Sequence, residues 1–477
     1  MATAWLRRRP RRFRHSPSSL LHTQGCGVYG ALGQGEQMQD SPTFKPVALV
    51  AADGTTTLTA KRVAAGWGHS AVVSTDGQAF VFGRPYDFST LMQINRLRSV
   101  STMFARFVGR FTSNFGSPAD GLYNVPQPIT GLDPVASVHC AAGLTVLRTE
   151  QGDVYALGQN RWGQCGIGDV KNVHIYEPTK VRLPVAVKAV DVGLQHGVAL
   201  SMNGTEVYTW GKGNRGQLGL VSSDTYVSPQ KVPKLGAAGV FITAVSAGFN
   251  HTAVLTSDGA VLVWGKGMST RLKSEKMRGL FPLRIYEDQP TPRVATLPGQ
   301  RRAVEICSSN FTLVIRCSDG SLWAMGMGEY DRSTAPEPLC VQQANVQQES
   351  VPASSSVGGH SSGSGDQDMD LDPPVVMPAT ARLVKGFQRV AIVTDAGPHA
   401  RTQAQTQTNG LVVPDPTLAA TAPTEGGQAW TVYDVVIHAD EAFLKVKSLD
   451  VGEPGSSGAT KVVDYATGWQ HALLVVE

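Results

Sequence analysis

Four histidines are the side chains of this chain best suited to acid–base or metal chemistry, and they share one context. His69, His196, His251 and His471 each stand three residues after a Gly and before a short run of small and apolar residues. Converging imidazoles could hold a metal or relay protons. These four instead occupy the same place in separate copies of a repeat. We therefore predict structural, partly buried rings that hydrogen-bond backbone between strands.

Other chemical motifs lead to the same conclusion. Gly211–Gly216 matches the dinucleotide pattern G-x-G-x-x-G, but Gln217-Leu218-Gly219 follows where a helix should begin, and Gly25–Gly30 repeats the match. Asp76, Asp258 and Asp319 stand at turn positions, which suit aspartate without catalysis. No phosphate-binding loop, nucleophile elbow or H-E-x-x-H motif occurs. We expect no enzyme activity, no catalytic residue, no bound metal and no cofactor.

The cysteines do not form a metal or redox motif. The six cysteines stand at 26, 140, 165, 307, 317 and 340, and no two are spaced as C-x-x-C. So wide a distribution in a long chain predicts reduced core thiols and no disulfide framework. No apolar run approaches about 18 residues, so the sequence predicts no membrane-spanning helix.

A repeat organises the chain. Its unit is Ala-Gly-x-x-His-Ser/Thr, three small apolar residues, a turn ending in Gly, and an apolar strand closed by Trp-Gly. The clearest copies are 65–83, 192–211 and 247–265, and weaker ones are 140–158, 307–326 and 386–397. The last of these has its outgoing strand delayed to about 428–432. In the weaker copies Leu144, Phe311 and Arg389 replace the histidine.

The seventh copy is divided between the two ends of the chain. Residues 466–477 hold a histidine strand with nothing after it, and residues 24–33 align without a gap on the Trp-Gly segment 210–219. High Gly content, with 51 Gly and 28 Pro in 477 residues, also favours short strands and turns. We predict an all-β, seven-bladed β-propeller over 20–477, closed by pairing of the N- and C-terminal strands. Long loop insertions are expected at 84–134, 268–300, 329–382 and 398–427.

The basic charge of the chain is concentrated at its start. Residues 1–24 contain six arginines and no acid, and removing those charges from the net of +4 leaves −2. Arg-rich, Ser-containing, acid-free composition is typical of a mitochondrial transit peptide, which we place at 1–19. A disordered basic tail, or an arm for nucleic acid or anionic membrane, is the alternative. The near-neutral remainder argues against DNA binding driven by phosphate neutralisation.

One insert contains a candidate binding element. In 91–111 apolar residues recur every three or four positions, which is a helical period. Its charged residues are Arg96, Arg98, Arg106 and Arg110. A basic amphipathic helix can contact a partner or lie on an anionic membrane. A helix packed on the propeller flank with solvated arginines is the alternative.

The pattern A-G-x-x-H-T/S…D-G…W-G…G-Q-L-G resembles the regulator of chromosome condensation repeat. The resemblance covers nearly the whole chain from about residue 20, and the start and interrupted blades resemble the mitochondrial branch of the superfamily. It implies a non-enzymatic protein-binding platform in the mitochondrial matrix or at the matrix face of the inner membrane. Its partners would be mitochondrial ribosome or assembly factors, and its role organelle gene expression or complex assembly. The alternatives are guanine-nucleotide exchange on a small GTPase, and chromatin binding with a nuclear or cytoplasmic location.

Overall fold

Short strands, most of them paired antiparallel, make up more than half of the described chain. The computed structural model describes residues 20–27, 30–35, 40–84, 123–233, 235, 239–278, 281–327, 332–341, 375–377, 379–385, 390–394, 399–400, 431–438, 441–447, 462–468 and 471–476. The predicted transit peptide 1–19 and the segment 91–111 lie outside these residues. A single turn of 3₁₀ helix at Pro298–Gln300 is the helical element that we find in the described part.

The strands are numbered in chain order. The first half comprises β1 (Leu20–Gly25), β2 (Ser41–Val47), β3 (Leu49–Val50), β4 (Thr57–Leu58), β5 (Ala60–Ala65), β6 (His69–Ser74), β7 (Ala79–Gly83), β8 (Tyr123–Ile129), β9 (Val135–Cys140), β10 (Leu144–Thr149), β11 (Val154–Gln159), β12 (His174–Lys180), β13 (Val187–Val192), β14 (His196–Ser201), β15 (Val207–Gly211), β16 (Tyr226–Lys231) and β17 (Ile242–Ala247). The second half comprises β18 (His251–Thr256), β19 (Val261–Gly265), β20 (Leu272–Arg278), β21 (Phe281–Tyr286), β22 (Gln289–Ala295), β23 (Ala303–Ser309), β24 (Thr312–Cys317), β25 (Leu322–Met327), β26 (Arg332–Val341), β27 (Val375–Val376), β28 (Arg382–Lys385), β29 (Val390–Thr394), β30 (His399–Ala400), β31 (Thr431–His438), β32 (Glu441–Lys447), β33 (Val462–Thr467) and β34 (His471–Val476).

These strands group into four-stranded blades. Blades 1 to 4 are β5–β8, β9–β12, β13–β16, and β17–β19 with β22. Blade 5 is β23–β26, blade 6 is β28, β29, β31 and β32, and blade 7 is β33, β34, β1 and β2. β26 pairs in parallel with β32, so blades 5 and 6 share one eight-stranded sheet. Hairpins β3–β4 and β20–β21, and the antiparallel pair β27–β30, form separate two-stranded sheets.

The innermost strands form a closed ring. In the order β5, β9, β13, β17, β23, β28, β33, each contacts the next, and β33 contacts β5. β1 pairs antiparallel with β34, from Leu20 opposite Val476 to Gly25 opposite His471. The all-β propeller and its closure by the two terminal strands are therefore confirmed. The count of seven blades stays a prediction, because one eight-stranded sheet joins blades 5 and 6. The ring of seven inner strands agrees with that count.

The core lies between blades. Each of the seven apolar clusters joins two neighbouring blades, as when Val146 and Leu144 of blade 2 pack with Val190 and Trp210 of blade 3. The five cysteines whose side chains are described are buried thiols outside any disulfide bond, as predicted. Burial raises the pKa of Cys140 to about 12, which leaves it an unreactive neutral thiol at physiological pH.

Two sequence assignments need correction. The outer strands β8, β22 and β26 lie inside the predicted inserts 84–134, 268–300 and 329–382, so those inserts are shorter than the sequence indicated. Each contains Pro, which lacks a ladder donor and is confined to edge strands, so the strand pattern is hard to recognise. Thr312, and not Phe311, holds the histidine position of blade 5, because Thr312 pairs with Gly326 as His69 pairs with Gly83. The delayed strand of blade 6 is present as β31, paired with β29.

Candidate partner-binding face

The repeat histidines are structural. His69, His196, His251 and His471 are buried in four different blades. Each ring folds back over the Gly of its own motif, where a Cβ would lie 2.0–2.3 Å from the imidazole Cε1. This close approach explains why the motif pairs Gly with His. The described residues contain no group of three or more His, Cys, Asp or Glu placed to hold a metal.

Two of these histidines connect neighbouring blades through hydroxyl groups, where the sequence predicted backbone contacts. His196 Nε2 lies 2.9 Å from Thr252 Oγ1 of blade 4, and His471 Nε2 lies 3.0 Å from Ser70 Oγ of blade 1. Burial lowers the pKa of His196 to about 3 and that of His471 to about 4. The rings are therefore neutral at physiological pH.

The Gly-rich segment 211–216 is a repeat loop. Arg215 N–H donates to Gln217 Oε1 at 2.8 Å, and Trp162 N–H donates in the same way to Gln164 Oε1 at 2.8 Å in blade 2. In both blades the glutamine of the G-Q-x-G segment therefore accepts a hydrogen bond from the backbone of its own loop. Strand β16 follows without a helix, which excludes the dinucleotide geometry.

We call one end of the ring the motif face. It carries the Ala-Gly-x-x-His turns between the first and second strands of the blades. The loops after the third strands lie at the same end, because first and third strands of an antiparallel meander run in the same direction. The residue after Trp-Gly is anchored there: Arg84, Lys212 and Lys266 each donate their backbone N–H to a carbonyl of the motif turn at 2.7–2.9 Å.

A cluster of cations surrounds one tryptophan on this face. Lys212 Nζ of blade 3 lies 4.3 Å from the ring centroid of Trp162 in blade 2, and Arg161 Cζ lies 5.7 Å from it. Trp162 and Lys212 are half-buried, and Arg161 is exposed. Burial, followed by the charges of Arg215 and Arg161, lowers the pKa of Lys212 below its ordinary value. The positive charges are therefore close enough to repel one another.

Aromatic side chains continue across the motif face. Phe249 and Phe311 pack edge to face with centroids 5.4 Å apart, and Lys266 Nζ lies 5.2 Å from the Phe311 ring. All three are half-buried. On the outer side Arg215 forms an exposed ion pair of 3.4 Å with Asp288. The face thus combines flat apolar surface with cations, a composition typical of protein-contact surfaces.

Sequence reasoning missed this cluster. It assigned binding to Arg96, Arg98, Arg106 and Arg110, which lie outside the described residues, so that assignment stays a prediction. A usable signal was present, because a basic residue follows the closing Gly of the third strand in three blades, at 84, 212 and 266. The stacking of Lys212 on Trp162 joins two blades and needs the ring geometry.

Comparison with known proteins agrees with the repeat and the fold. The model of the regulator of chromosome condensation (RCC1) repeat matches residues 19–73, 151–200 and 206–255. These three segments of the chain are therefore similar to the RCC1 repeat. Two solved structures share its fold: human WBSCR16, with TM-score 0.59, 17% identity and coverage of 96% of this chain and 99% of that one, and yeast Prp20p, with TM-score 0.55, 14% identity and coverage of 97% and 92%.

Relatives by sequence are similar over part of their length. The ultraviolet-B receptor of Arabidopsis thaliana is 31% identical over 43% of this chain and 44% of the receptor. Human regulator of chromosome condensation is 34% identical over 38% of the chain and 40% of that protein. Mouse secretion-regulating guanine nucleotide exchange factor is 26% identical over 66% of the chain and 61% of that protein. The chain thus spans less than two thirds of the length of each of these relatives.

Proposed function

We propose that this RCC1-repeat protein is a non-enzymatic binding platform whose motif face docks an acidic surface of a protein partner. The observation that carries the proposal is the stack of Lys212 and Arg161 on Trp162. Cations over a desolvated aromatic ring contribute roughly 0.5–2 kcal/mol, and Trp and Arg dominate binding hot spots. A carboxylate placed among these cations would also relieve their mutual repulsion.

Charge reversal on the motif face tests this proposal. The double variant Arg161→Glu/Lys212→Glu in the full chain should lose its partners in proximity labelling in the native cell. Lys45→Glu is the control for charge reversal, because Lys45 is exposed on the outer strand β2, away from this face. Thermal unfolding of the variants should match the wild type, since solvated charges contribute little to stability. Unchanged labelling by the double variant would exclude the motif face as the docking site.

We further propose that the platform works in mitochondria, in organelle gene expression, ribosome or complex assembly at the matrix face of the inner membrane. The acid-free, six-arginine composition of residues 1–24 supports this location. Fused to a reporter, residues 1–24 should direct it to mitochondria, and replacing all six arginines by Gln should leave it cytosolic. The mature N-terminus, read by mass spectrometry, should lie downstream of the arginines. Nuclear import of the reporter would contradict the mitochondrial location and favour the nuclear alternative.

Guanine-nucleotide exchange on a small GTPase is the second candidate. The similarity to a secretion-regulating exchange factor over 66% of this chain favours it. The purified chain would then accelerate release of labelled GDP from its GTPase, and the motif-face double variant would not. A partner that binds through the motif face without accelerated release favours the platform.

A further inference from the structure

The axis of the propeller contains a charged cavity of about 320 Å³. Inner strands β5, β9, β23, β28 and β33 line it, so five blades contribute to one space. A volume of this size matches the lower end of the range for small-molecule sites. The charged or titratable side chains that line it are Arg62, His139, Cys140, Glu305, Arg382, Lys385, Asp464 and Tyr465.

Lys385 crosses the axis at one end of this cavity. It extends from β28 to the far side of the ring, where Nζ donates to Asp191 Oδ1 and Oδ2 at 2.8 Å and to the carbonyls of Val192 and Ala247 at 2.7 and 2.5 Å. β28 and β13 are as far apart in the cyclic order of inner strands as two members can be. The lysine side chain and Asp191 therefore form a floor across the channel.

Asp191 at the floor and Glu305 in the lining are already paired with cations. Asp191 is neutralised by Lys385 and also accepts from Ala247 N–H at 2.8 Å. Although burial by itself would raise the pKa of Asp191, the charge of Lys385 and contact with His139 hold it well below its usual value. Glu305 is paired with Arg316 at 2.8 Å and accepts from Leu383 N–H at 3.0 Å.

Two arginines of the cavity retain unused donors. Within the described residues the Arg62 guanidinium forms no hydrogen bond or ion pair, and Arg382 donates from Nη2 to Val463 O at 3.2 Å. Asp464 is the acid that interacts electrostatically with both arginines. Its carboxylate accepts a hydrogen bond from Val63 N–H at 3.0 Å, and burial raises its pKa although the charges of both arginines lower it. The unpaired charge of the cavity is thus positive and belongs to two guanidinium groups, which match the oxygens of phosphate in geometry.

We propose that this axial cavity binds a small phosphorylated metabolite, with Arg62 and Arg382 as the phosphate ligands and the Lys385–Asp191 pair as the floor. The residues of this site are different from those of the Trp162 cluster on the motif face. Asp464 opposes the bound anion and tunes its affinity. Arg62 lies on β5 of blade 1 and Arg382 on β28 of blade 6, with blade 7 between them in the ring. A ligand bound by both arginines would therefore link blades 1 and 6.

Titration of the full chain with inorganic phosphate and with ribose 5-phosphate tests the site, with NaCl added to match ionic strength. Isothermal titration calorimetry should show one site, and thermal unfolding should shift upward as ligand stabilises the folded state. Arg62→Gln should weaken Kd about tenfold or more, as expected for loss of a charged hydrogen bond. Lys61→Gln is the matched control, because Lys61 is an exposed cation of the same strand that does not line the cavity.

Asp464→Asn should change phosphate affinity in the opposite direction to Arg62→Gln. Asn keeps an acceptor for Val63 N–H but removes the negative charge, so phosphate should bind more tightly. Arg62 is exposed and its guanidinium has no hydrogen bond in the described structure, so Arg62→Gln should fold even if an Arg382 variant does not. Absence of phosphate binding by the wild type, equal binding by Arg62→Gln, or weaker binding by Asp464→Asn would each overturn the proposal.

Discussion

The interfaces between neighbouring blades are of two kinds, which differ in the loop of one blade and in the closing side chain of the next. At three interfaces the last Gly of a G-x-x-G loop lies under the closing aromatic residue of the next blade: Gly33 under Phe82, Gly166 under Trp210 and Gly219 under Trp264. A Cβ on these glycines would lie 2.8–2.9 Å from the ring. At the interfaces that follow blades 1 and 4 the loop sequence is absent, and the next blade closes with Leu157 or Met325 instead.

The difference shows that the repeat specifies contacts between blades and not only within them. Trp210 and Trp264 donate their indole N–H to the carbonyls of Gln164 and Gln217 at 2.9 Å, so each indole depends on the loop of the preceding blade. Where an insert replaces that loop, an indole would have neither its acceptor nor its Gly. The aliphatic residues at 157 and 325 follow from that loss.

Replacing the aromatic side chain should cause the largest loss in the free energy of unfolding. If the two kinds of interface were equivalent, the same kind of replacement would cost the same at both. Trp264→Leu removes a buried indole and its hydrogen bond, so we expect a loss of about 3 kcal/mol. Met325→Leu at the other kind of interface conserves volume and should cost less than about 1.5 kcal/mol. Urea unfolding measures both. Equal losses would contradict the pairing of loop and aromatic residue.

Filling the space under the ring should have the next largest effect. Gly219→Ala places a Cβ 2.9 Å from Trp264 at a φ of +71°, and we expect a loss of about 2–3 kcal/mol. Gly54→Ala has nearly the same φ, +72°, but nothing within 4 Å, and should cost only about 1 kcal/mol. The difference between the two measures the contact with the Trp264 indole together with that with Val232, whose Cγ1 would lie 3.1 Å from the added Cβ. If both variants unfold at the same denaturant concentration, the contact contributes nothing.

Removing the hydroxyl group that contacts His196 should cause a smaller loss of stability. Thr252→Val leaves the buried His196 Nε2 without its partner, at a cost of about 1–2 kcal/mol. Thr252→Ser keeps the hydroxyl, as Ser70 has it beside His471, and should recover most of the loss. In blade 5 Leu313 holds this register position, and His251 Nε2 has no partner in the described structure. Failure of Ser to rescue would assign the loss to packing.

Acidification should have the smallest effect. Burial lowers the pKa of His251 to about 3, whereas the unfolded chain titrates near 6.5. The unfolded state therefore binds the proton first, so stability falls as pH falls through 6.5. Between pH 7.5 and 6.0 each such histidine costs about 0.8 kcal/mol. His251→Leu should reduce the pH dependence of the urea midpoint by one histidine. A midpoint with the same slope in wild type and variant would contradict the buried neutral ring.

The repeat allowed the propeller and its seam to be predicted, because residues 24–33 copy 210–219 and residues 466–477 lack that half. Contacts within a blade follow from such local patterns. The stack of Lys212 on Trp162 and the link from Lys385 to Asp191 join different blades, and no local spacing encodes them. Proline also concealed outer strands such as β8, whose Pro126 and Pro128 are typical of loops.

Pairing of β1 with β34 makes folding wait for the last residues of the chain. The first strand leaves the ribosome long before its neighbour exists, since synthesis at about 5–20 residues per second takes roughly half a minute to a minute and a half. During that time β1 can pair only with β2, and its other edge is a template for aggregation. A nascent or truncated chain would therefore remain a substrate for chaperones and proteases. Emergence of β34 is in this sense what allows the ring to close.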